Sequence, residues 1–261
     1  MHTFSFPSEE TLASLFRRHD GDPVQNGWCV RMRHKFGYFT PEAWYQAVVD
    51  NLVTDESKWI DVGGGKSIFP FNEKLSCELA ERSDFLVGVD PSDNINQNDL
   101  VNERSQTMIE DYQTDETFDL ATLRMVAEHI EHPEIVIDKL AQLIRPTGHV
   151  VIYTPNKWSI LSIMASLIPD KFHASFARLI SSGRKDEDVF PTCYKMNTRN
   201  RLRELFEEGG FKEVGFAHLD DCVVLQQYPF AYRCELTLWK LFRLIRLRYP
   251  ENNILGIYQR Q

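Results

Sequence analysis

The residues most able to do chemistry lie in one glycine-rich segment and near the ends of apolar runs. The segment 61–67 reads Asp-Val-Gly-Gly-Gly-Lys-Ser and follows an apolar run, which predicts a buried strand feeding a tight turn. Asp90 ends the next apolar run, Glu110 and Asp111 come later, and His129 follows a third run. Glycine lets the backbone approach a ligand closely, and carboxylates accept hydrogen bonds from hydroxyl or amine groups. The spacing therefore predicts a site for a small polar ligand.

Two phosphate-binding motifs fit this segment poorly. A P-loop also ends in Gly-Lys-Ser, but it needs a glycine five residues before Gly65, where Ile60 stands inside the predicted strand. The dinucleotide fingerprint needs a glycine three residues after Gly65, where Ile68 stands, and Asp61 would face a pyrophosphate unfavourably. Nucleotide hydrolysis is therefore disfavoured, and a nicotinamide-dependent oxidoreductase is kept only as a lesser alternative.

S-Adenosylmethionine fits the same residues better, because it carries no phosphate. Gly63 and Gly65 would let the backbone approach its ribose and methionine portions. Asp61 can meet its ammonium group, and Asp90 can accept hydrogen bonds from both ribose hydroxyls. An acid after the third strand region can accept from the adenine amine, and Glu110 and Asp111 stand there. The residues therefore predict this cofactor.

Strand patterns and helix patterns alternate along the chain. Strands are predicted at residues 59–62, 85–89, 118–123, 149–153, 211–216 and 253–258, and helices begin near Thr40, Asn72, Pro133 and Thr198. This alternation predicts an α/β fold with a doubly wound, mostly parallel sheet and helices on both faces. Ligands bind such sheets beyond the carboxyl ends of the strands, which is where the glycine turn falls.

Three segments stand outside this alternation. Residues 1–55 precede the first strand and are expected to form an N-terminal helical cap. Residues 157–196 and 228–250 are rich in apolar side chains and are interpreted as helical insertions that form a lid on a single domain, 1–261. The second insertion is also basic and amphipathic. Packing of its apolar face on its own protein is favoured over contact with an anionic membrane.

Composition narrows the partners. The chain has 261 residues, 43% of them hydrophobic and 26% charged, which is typical of a folded protein. Its net charge of −9 argues against nucleic acid as the main partner. No apolar stretch approaches the roughly 20 residues of a membrane-spanning helix, and the first residues are not those of a secretory signal. Five widely spaced cysteines and scattered histidines predict a reduced, cytoplasmic protein without a metal site.

Several of these segments resemble known family motifs. Residues 61–65, 87–90 and 118–120 resemble the nucleotide-side motifs of class I methyltransferases, and 126–130 with Pro133 resemble the type 11 branch that includes the ubiquinone O-methyltransferases. The resemblance covers about residues 55–156 well. It implies a seven-stranded sheet whose last strand, here 253–258, runs antiparallel. The glycine pattern is shortened and the insertions have no counterpart in the minimal fold, so the resemblance implies no particular acceptor.

The catalytic and acceptor-side residues are assigned more openly. His129 is predicted either as a general base near the transferred methyl group or as a structural residue. Tyr38 is the preferred contact to the methionine end of the cofactor, because residues before the first strand often close over that end in the resembling family. Tyr194, in the predicted lid, and Asn156, after the fourth strand, are assigned to the acceptor.

The function predicted from these residues is methyl transfer from S-adenosylmethionine to an oxygen or nitrogen of a small molecule. The apolar insertions favour a bulky or lipophilic acceptor. The alternative from a different class is a non-catalytic, cofactor-binding regulatory subunit, which would bind the cofactor without turning it over.

Overall fold

A computed structural model describes residues 4–159, 190–223 and 225–261. Its sheet has seven strands in the order β3-β2-β1-β4-β5-β7-β6. They are β1 Lys58–Val62, β2 Phe85–Val89, β3 Glu103–Ser105, β4 Phe118–Arg124, β5 Ile144–Pro155, β6 Phe211–Asp220 and β7 Glu251–Arg260. Only β7 runs antiparallel to its neighbours, β5 and β6. The predicted doubly wound, mostly parallel sheet with an antiparallel last strand is therefore confirmed.

Seven α-helices occur in the described residues. They are α1 Glu9–Asp20, α2 Trp28–Phe36, α3 Pro41–Leu52, α4 Glu73–Arg82, α5 Pro133–Leu143, α6 Arg199–Glu208 and α7 Pro229–Leu244. The predicted starts of α3, α4 and α6 are confirmed. In each, a side chain of the capping residue (Thr40, Asn72 or Thr198) accepts a hydrogen bond from a backbone N–H of the first turn.

The sheet separates two apolar layers. On one face Ile60, Val87 and Val150 pack with α5 and α6. On the other, Trp59 and Val151 pack with α3 and α4. Because alternate strand residues point to opposite faces, β1 supplies both layers. In the segment expected to form a cap, α3 thus lies directly on the sheet, and α1 contacts α3.

A third, smaller apolar cluster joins α2 and α7, which lie outside the two main layers. Tyr232, Leu236 and Trp239 of α7 pack with Tyr38 and Cys222, and residues of α2 lie against them. Most of the predicted 157–196 insertion, residues 160–189, lies outside the described residues, so its proposed role as a lid stays a prediction. No helix in the described ranges is both long and apolar enough to cross a bilayer.

Candidate active site

The glycine turn after β1 requires glycine for two separate reasons. Gly63 and Gly65 have φ angles of +72° and +52°, which side-chain-bearing residues rarely adopt. A Cβ on Gly63 would overlap Val126, and one on Gly64 would overlap the Asp61 carboxylate. The Gly63 N–H donates to Val89 O at 2.8 Å, which fixes the turn at the carboxyl ends of β1 and β2.

Asp61 lies beneath this turn as a buried carboxylate that is only partly satisfied. Asp61 is 2% exposed, and its Oδ1 accepts a hydrogen bond from Thr122 Oγ1 at 2.6 Å. Within the described chain, Oδ2 is buried and has no hydrogen-bond partner. Burial raises the pKa of Asp61 to about 7, against the opposing effects of the Thr122 hydrogen bond and Arg124, while Asp90 adds to the rise. A cationic group on a ligand would complete this site.

Asp90 holds the other side of the turn. Its Oδ2 accepts from the Gly65 N–H at 2.9 Å and its Oδ1 from the Ser92 N–H at 2.8 Å. A carboxylate can accept about four hydrogen bonds, so shaping the turn is compatible with binding a diol. Asp61 and Asp90 together make this edge acidic. That charge suits S-adenosylmethionine, which carries an ammonium and a sulfonium group.

Glu110 and Asp111 lie farther along the same edge. They belong to a single 3₁₀ turn, Ile109–Asp111, that follows the carboxyl end of β3 and is anchored by buried Ile109. Asp111 is exposed and Glu110 is partly exposed. The Asp90 N–H donates to Ser105 O at 3.1 Å, which joins the end of β3 to the Asp90 side of the turn. Contact of either acid with adenine stays a prediction.

Tyr38 lies in the α2–α7 cluster instead of beside the glycine turn. Its hydroxyl donates to Asp220 O at 2.9 Å and accepts from the Cys222 N–H at 2.8 Å. Its ring packs edge-on against Trp239, and the residue is 4% exposed. These contacts fix the segment after β6. The predicted contact with the methionine end is not among them and stays a prediction.

His129 belongs to a tight turn that packs on the glycine turn. The turn follows β4, places Val126 against Gly63, and closes with a hydrogen bond from the His129 N–H to Val126 O at 2.9 Å. His129 Nδ1 lies 3.0 Å from Pro191 O, and since a carbonyl only accepts, Nδ1 must carry the proton. In the neutral ring Nε2 then holds the lone pair, as a general base requires.

Tyr194 is brought to the same turn by backbone hydrogen bonds. The N–H groups of Cys193 and Tyr194 both donate to Glu128 O, at 2.6 and 3.1 Å, and Tyr194 has a φ of +49°. Glu128 itself is 4% exposed and accepts a hydrogen bond from Thr154 Oγ1 at 2.7 Å. The structure therefore places Tyr194 and His129, far apart in sequence, on adjoining segments.

Asn156 is largely committed to the backbone at the end of β5. Its Nδ2 donates to Glu251 O at 3.1 Å and its Oδ1 accepts from the Trp158 N–H at 3.1 Å. The residue is 8% exposed. It ties the end of β5 to the start of β7, and its contact with an acceptor stays a prediction.

Sequence reasoning missed the residues that support Asp61 from β4. Thr122 bridges Trp59 Nε1, at 2.8 Å, and the Asp61 carboxylate. Arg124 pairs with Glu42 of α3 at 2.9 Å. An arginine at the last position of an apolar strand was a signal, since a charge there needs a partner near the sheet edge. Among the described residues, no group of His, Cys, Asp and Glu could hold a metal ion.

Comparison with known proteins identifies a family for this chain. A family model described as "Methyltransferase domain" (Methyltransf_23) matches residues 33–214. No curated protein matches the chain.

Solved structures share the fold at low identity. A protein described as a sarcosine dimethylglycine methyltransferase from Galdieria sulphuraria is 11% identical with a TM-score of 0.52, over 97% of this chain and 98% of that chain. An S-adenosylmethionine-dependent methyltransferase from Methanosarcina mazei is 14% identical with a TM-score of 0.51, over 82% and 96%. The YcgJ protein from Bacillus subtilis is 12% identical with a TM-score of 0.50, over 83% and 98%.

The family match spans β1, the glycine turn, Asp90, the His129 turn and Tyr194. It indicates S-adenosylmethionine as the cofactor, and the partly satisfied carboxylate of Asp61 beneath a glycine turn fits that molecule. From its sequence and fold, the chain belongs to the methyltransferase-domain family.

Proposed function

We propose that the protein transfers the methyl group of S-adenosylmethionine to an oxygen or nitrogen of a small molecule. The observation that carries the donor side is Asp61 Oδ2, a buried carboxylate oxygen without a hydrogen-bond partner in the described structure. In this proposal the ammonium group of the cofactor donates to it. Gly63 and Gly65 let the backbone approach, because neither carries a Cβ.

The other contacts proposed for S-adenosylmethionine follow from the positions of residues along the carboxyl edge of the sheet. Asp90 would receive the ribose hydroxyls while it holds the Gly65 N–H. Glu110 or Asp111 would accept from the adenine amine, since their 3₁₀ turn follows β3 at the same edge. Tyr38 would act on the methionine end only through the segment that its hydroxyl fixes, residues 220–222.

On the acceptor side, His129 would remove the proton of a hydroxyl nucleophile. The bound cofactor supplies an electrophilic methyl group whose bond to sulfur breaks as the new bond forms. The proton lost by the nucleophile would go to His129 Nε2, while Pro191 O holds the proton on Nδ1. A neutral amine acceptor would need only alignment, so His129 would then be a positioning residue.

Tyr194 is proposed to line the acceptor pocket beside His129, with Asn156 at its outer side. The apolar side chains of the 157–196 segment favour a bulky or lipophilic acceptor. We keep a cytoplasmic location as part of the proposal, since the five cysteines include no pair in a disulfide.

Formation of S-adenosylhomocysteine in the presence of a library of phenols, alcohols and amines tests this function. We expect turnover with at least one class, and its loss in Asp61→Asn. Tight binding of S-adenosylhomocysteine with no turnover across all classes would contradict methyl transfer and favour the non-catalytic regulatory subunit.

A further inference from the structure

Helix α7 is apolar on two opposite faces. Its inner face carries Tyr232, Leu236 and Trp239, which are buried in the cluster with α2. At about 100° per residue, positions 230, 234, 238, 241 and 244 lie on the opposite side, within an arc of roughly 120°. There Phe230 is 83% exposed and Leu244 is 79% exposed. The inner face packs against the rest of the protein, whereas these outer side chains are exposed.

Apart from Thr237, the outer face forms an apolar strip, which we call the α7 strip. Four of its members are large and exposed, and the apolar exposure continues just past the end of the helix. These residues are Phe230, Leu238, Leu241, Leu244, Ile245 and Leu247. Single exposed leucines are ordinary on protein surfaces, but a strip aligned along one helix marks a surface that contacts another phase or partner.

The charges beside the strip are almost all positive. The segment 228–250 holds five Lys or Arg and only one acid, Glu235, although the whole chain carries a net charge of −9. Glu235 is half-buried and lies on the inner side of α7. The segment that carries α7 is therefore strongly basic within an acidic chain.

Part of this positive charge is unpaired. Arg243 pairs with Glu9 at 3.1 Å, and Arg248 lies 3.8 Å from Glu251. In the described chain Arg233 and Arg246 form no ion pair and are exposed, and Lys240 lies over the Phe36 ring without a carboxylate partner. Arg233 lies beside the strip on the helix, and Arg246 follows the C-terminal end of the helix.

We propose that the α7 strip binds the surface of an anionic lipid bilayer. An apolar helix face flanked by Lys and Arg lies in the headgroup region of such a membrane, with the apolar side chains inserted and the cations on lipid phosphates. A second copy of the chain fits less well, because face-to-face contact would oppose two basic surfaces. The acidic remainder of the chain would be repelled from the membrane, which orients the α7 side toward it.

Flotation with vesicles tests this docking surface. We expect binding to vesicles of phosphatidylcholine with about one-third phosphatidylglycerol, weaker binding at high salt, and little to phosphatidylcholine alone. The double variant Leu241→Glu, Leu244→Glu should bind at least about tenfold more weakly. Phe71→Glu is the matched control, since Phe71 is 83% exposed but lies outside the strip, and it should bind as the native chain does.

Charge and insertion are tested separately. The double variant Arg233→Gln, Arg246→Gln should bind anionic vesicles more weakly. Lys212→Gln, which changes an exposed lysine of β6, should bind them as the native chain does. A fluorophore on Cys234, which is exposed on the outer face, should shift to shorter wavelength with anionic vesicles.

Three results would overturn the proposal. They are equal binding by the leucine double variant, no difference between the two vesicle types, and a concentration-dependent dimer without vesicles that the double variant abolishes. Binding of S-adenosylhomocysteine by the double variant confirms that it is folded, and the result is independent of whether methyl transfer is established.

Discussion

Cofactor affinity should depend on pH through Asp61. In the free protein, burial raises the pKa of this carboxyl to about 7, so it is largely protonated below neutrality. An ammonium group beside Oδ2 favours the carboxylate, and binding must therefore release a proton. The other groups that act on Asp61 are Thr122, Arg124, Asp90 and the buried Tyr45. Asp90 and Tyr45 oppose ionisation of Asp61, and Arg124 favours it. The cationic group of the ligand therefore decides whether Asp61 is ionised in the complex.

The magnitude follows from the pKa. If the bound carboxyl is fully ionised, affinity falls up to tenfold for each pH unit below 7, which gives a loss of about 25-fold between pH 7.5 and pH 5.5. Titration calorimetry with S-adenosylhomocysteine in buffers of different ionisation enthalpy measures both the affinity and the protons released. We expect nearly one proton released at pH 5.5.

The matched variants separate Asp61 from general acid effects. Asp61→Asn keeps an oxygen to accept from Thr122 Oγ1 but cannot ionise, so its affinity should be lower at pH 7.5 and nearly independent of pH. Asp115→Asn, at an exposed position, should retain the native slope. A flat affinity in the native protein, or the native slope in Asp61→Asn, would refute the reasoning.

Three further predictions concern the same edge. Asp90→Ala removes the acceptor of the Gly65 N–H as well as the proposed ribose contact, so the affinity for S-adenosylhomocysteine should fall at least about tenfold. Circular dichroism should show that the variant is folded, and an unchanged affinity would remove Asp90 from the cofactor site. Gly64→Ala would place a Cβ against the Asp61 carboxylate, so cofactor binding should be lost or the melting temperature lowered. Gly27→Ala should change either quantity little, because a Cβ there has open space. Equal effects of the two substitutions would contradict the packing of Gly64 on Asp61. For a hydroxyl acceptor, His129→Ala should lower kcat by at least about a hundredfold while the affinity for S-adenosylhomocysteine is kept. An unchanged kcat would leave His129 a structural residue.

The sequence predicts well the parts of the fold whose patterns are local. The buried strands β1, β2 and β4 appear as apolar runs, and capping residues mark the helix starts. β3 does not appear in this way, because Glu103 and Arg104 are exposed on a three-residue edge strand. The apolar periodicity of α5 predicts a buried face that includes Ile135, Val136 and Leu140, but Ile135 is 53% exposed while Ile137 is buried. A face inferred from periodicity is broad, and tertiary contacts select its centre.

The candidate site was predicted best where residues adjoin strand ends. Asp61, Gly63, Gly65 and Asp90 meet at one turn because parallel strands end at a common edge. No local pattern identifies which residue a long-range partner will be. The hydroxyl of Tyr38 finds residues 220 and 222, nearly two hundred positions away, and the pairing of Arg124 with Glu42 joins β4 to α3.

Hydrogen exchange with and without S-adenosylhomocysteine locates the cofactor without assuming an acceptor, and it therefore shows whether the glycine turn binds the cofactor. We expect slower exchange in the peptides that contain residues 61–67, 90–94 and 126–130, with a smaller change in α2 and α7. Unchanged exchange in the glycine turn, with protection confined to another part of the chain, would contradict the site described above.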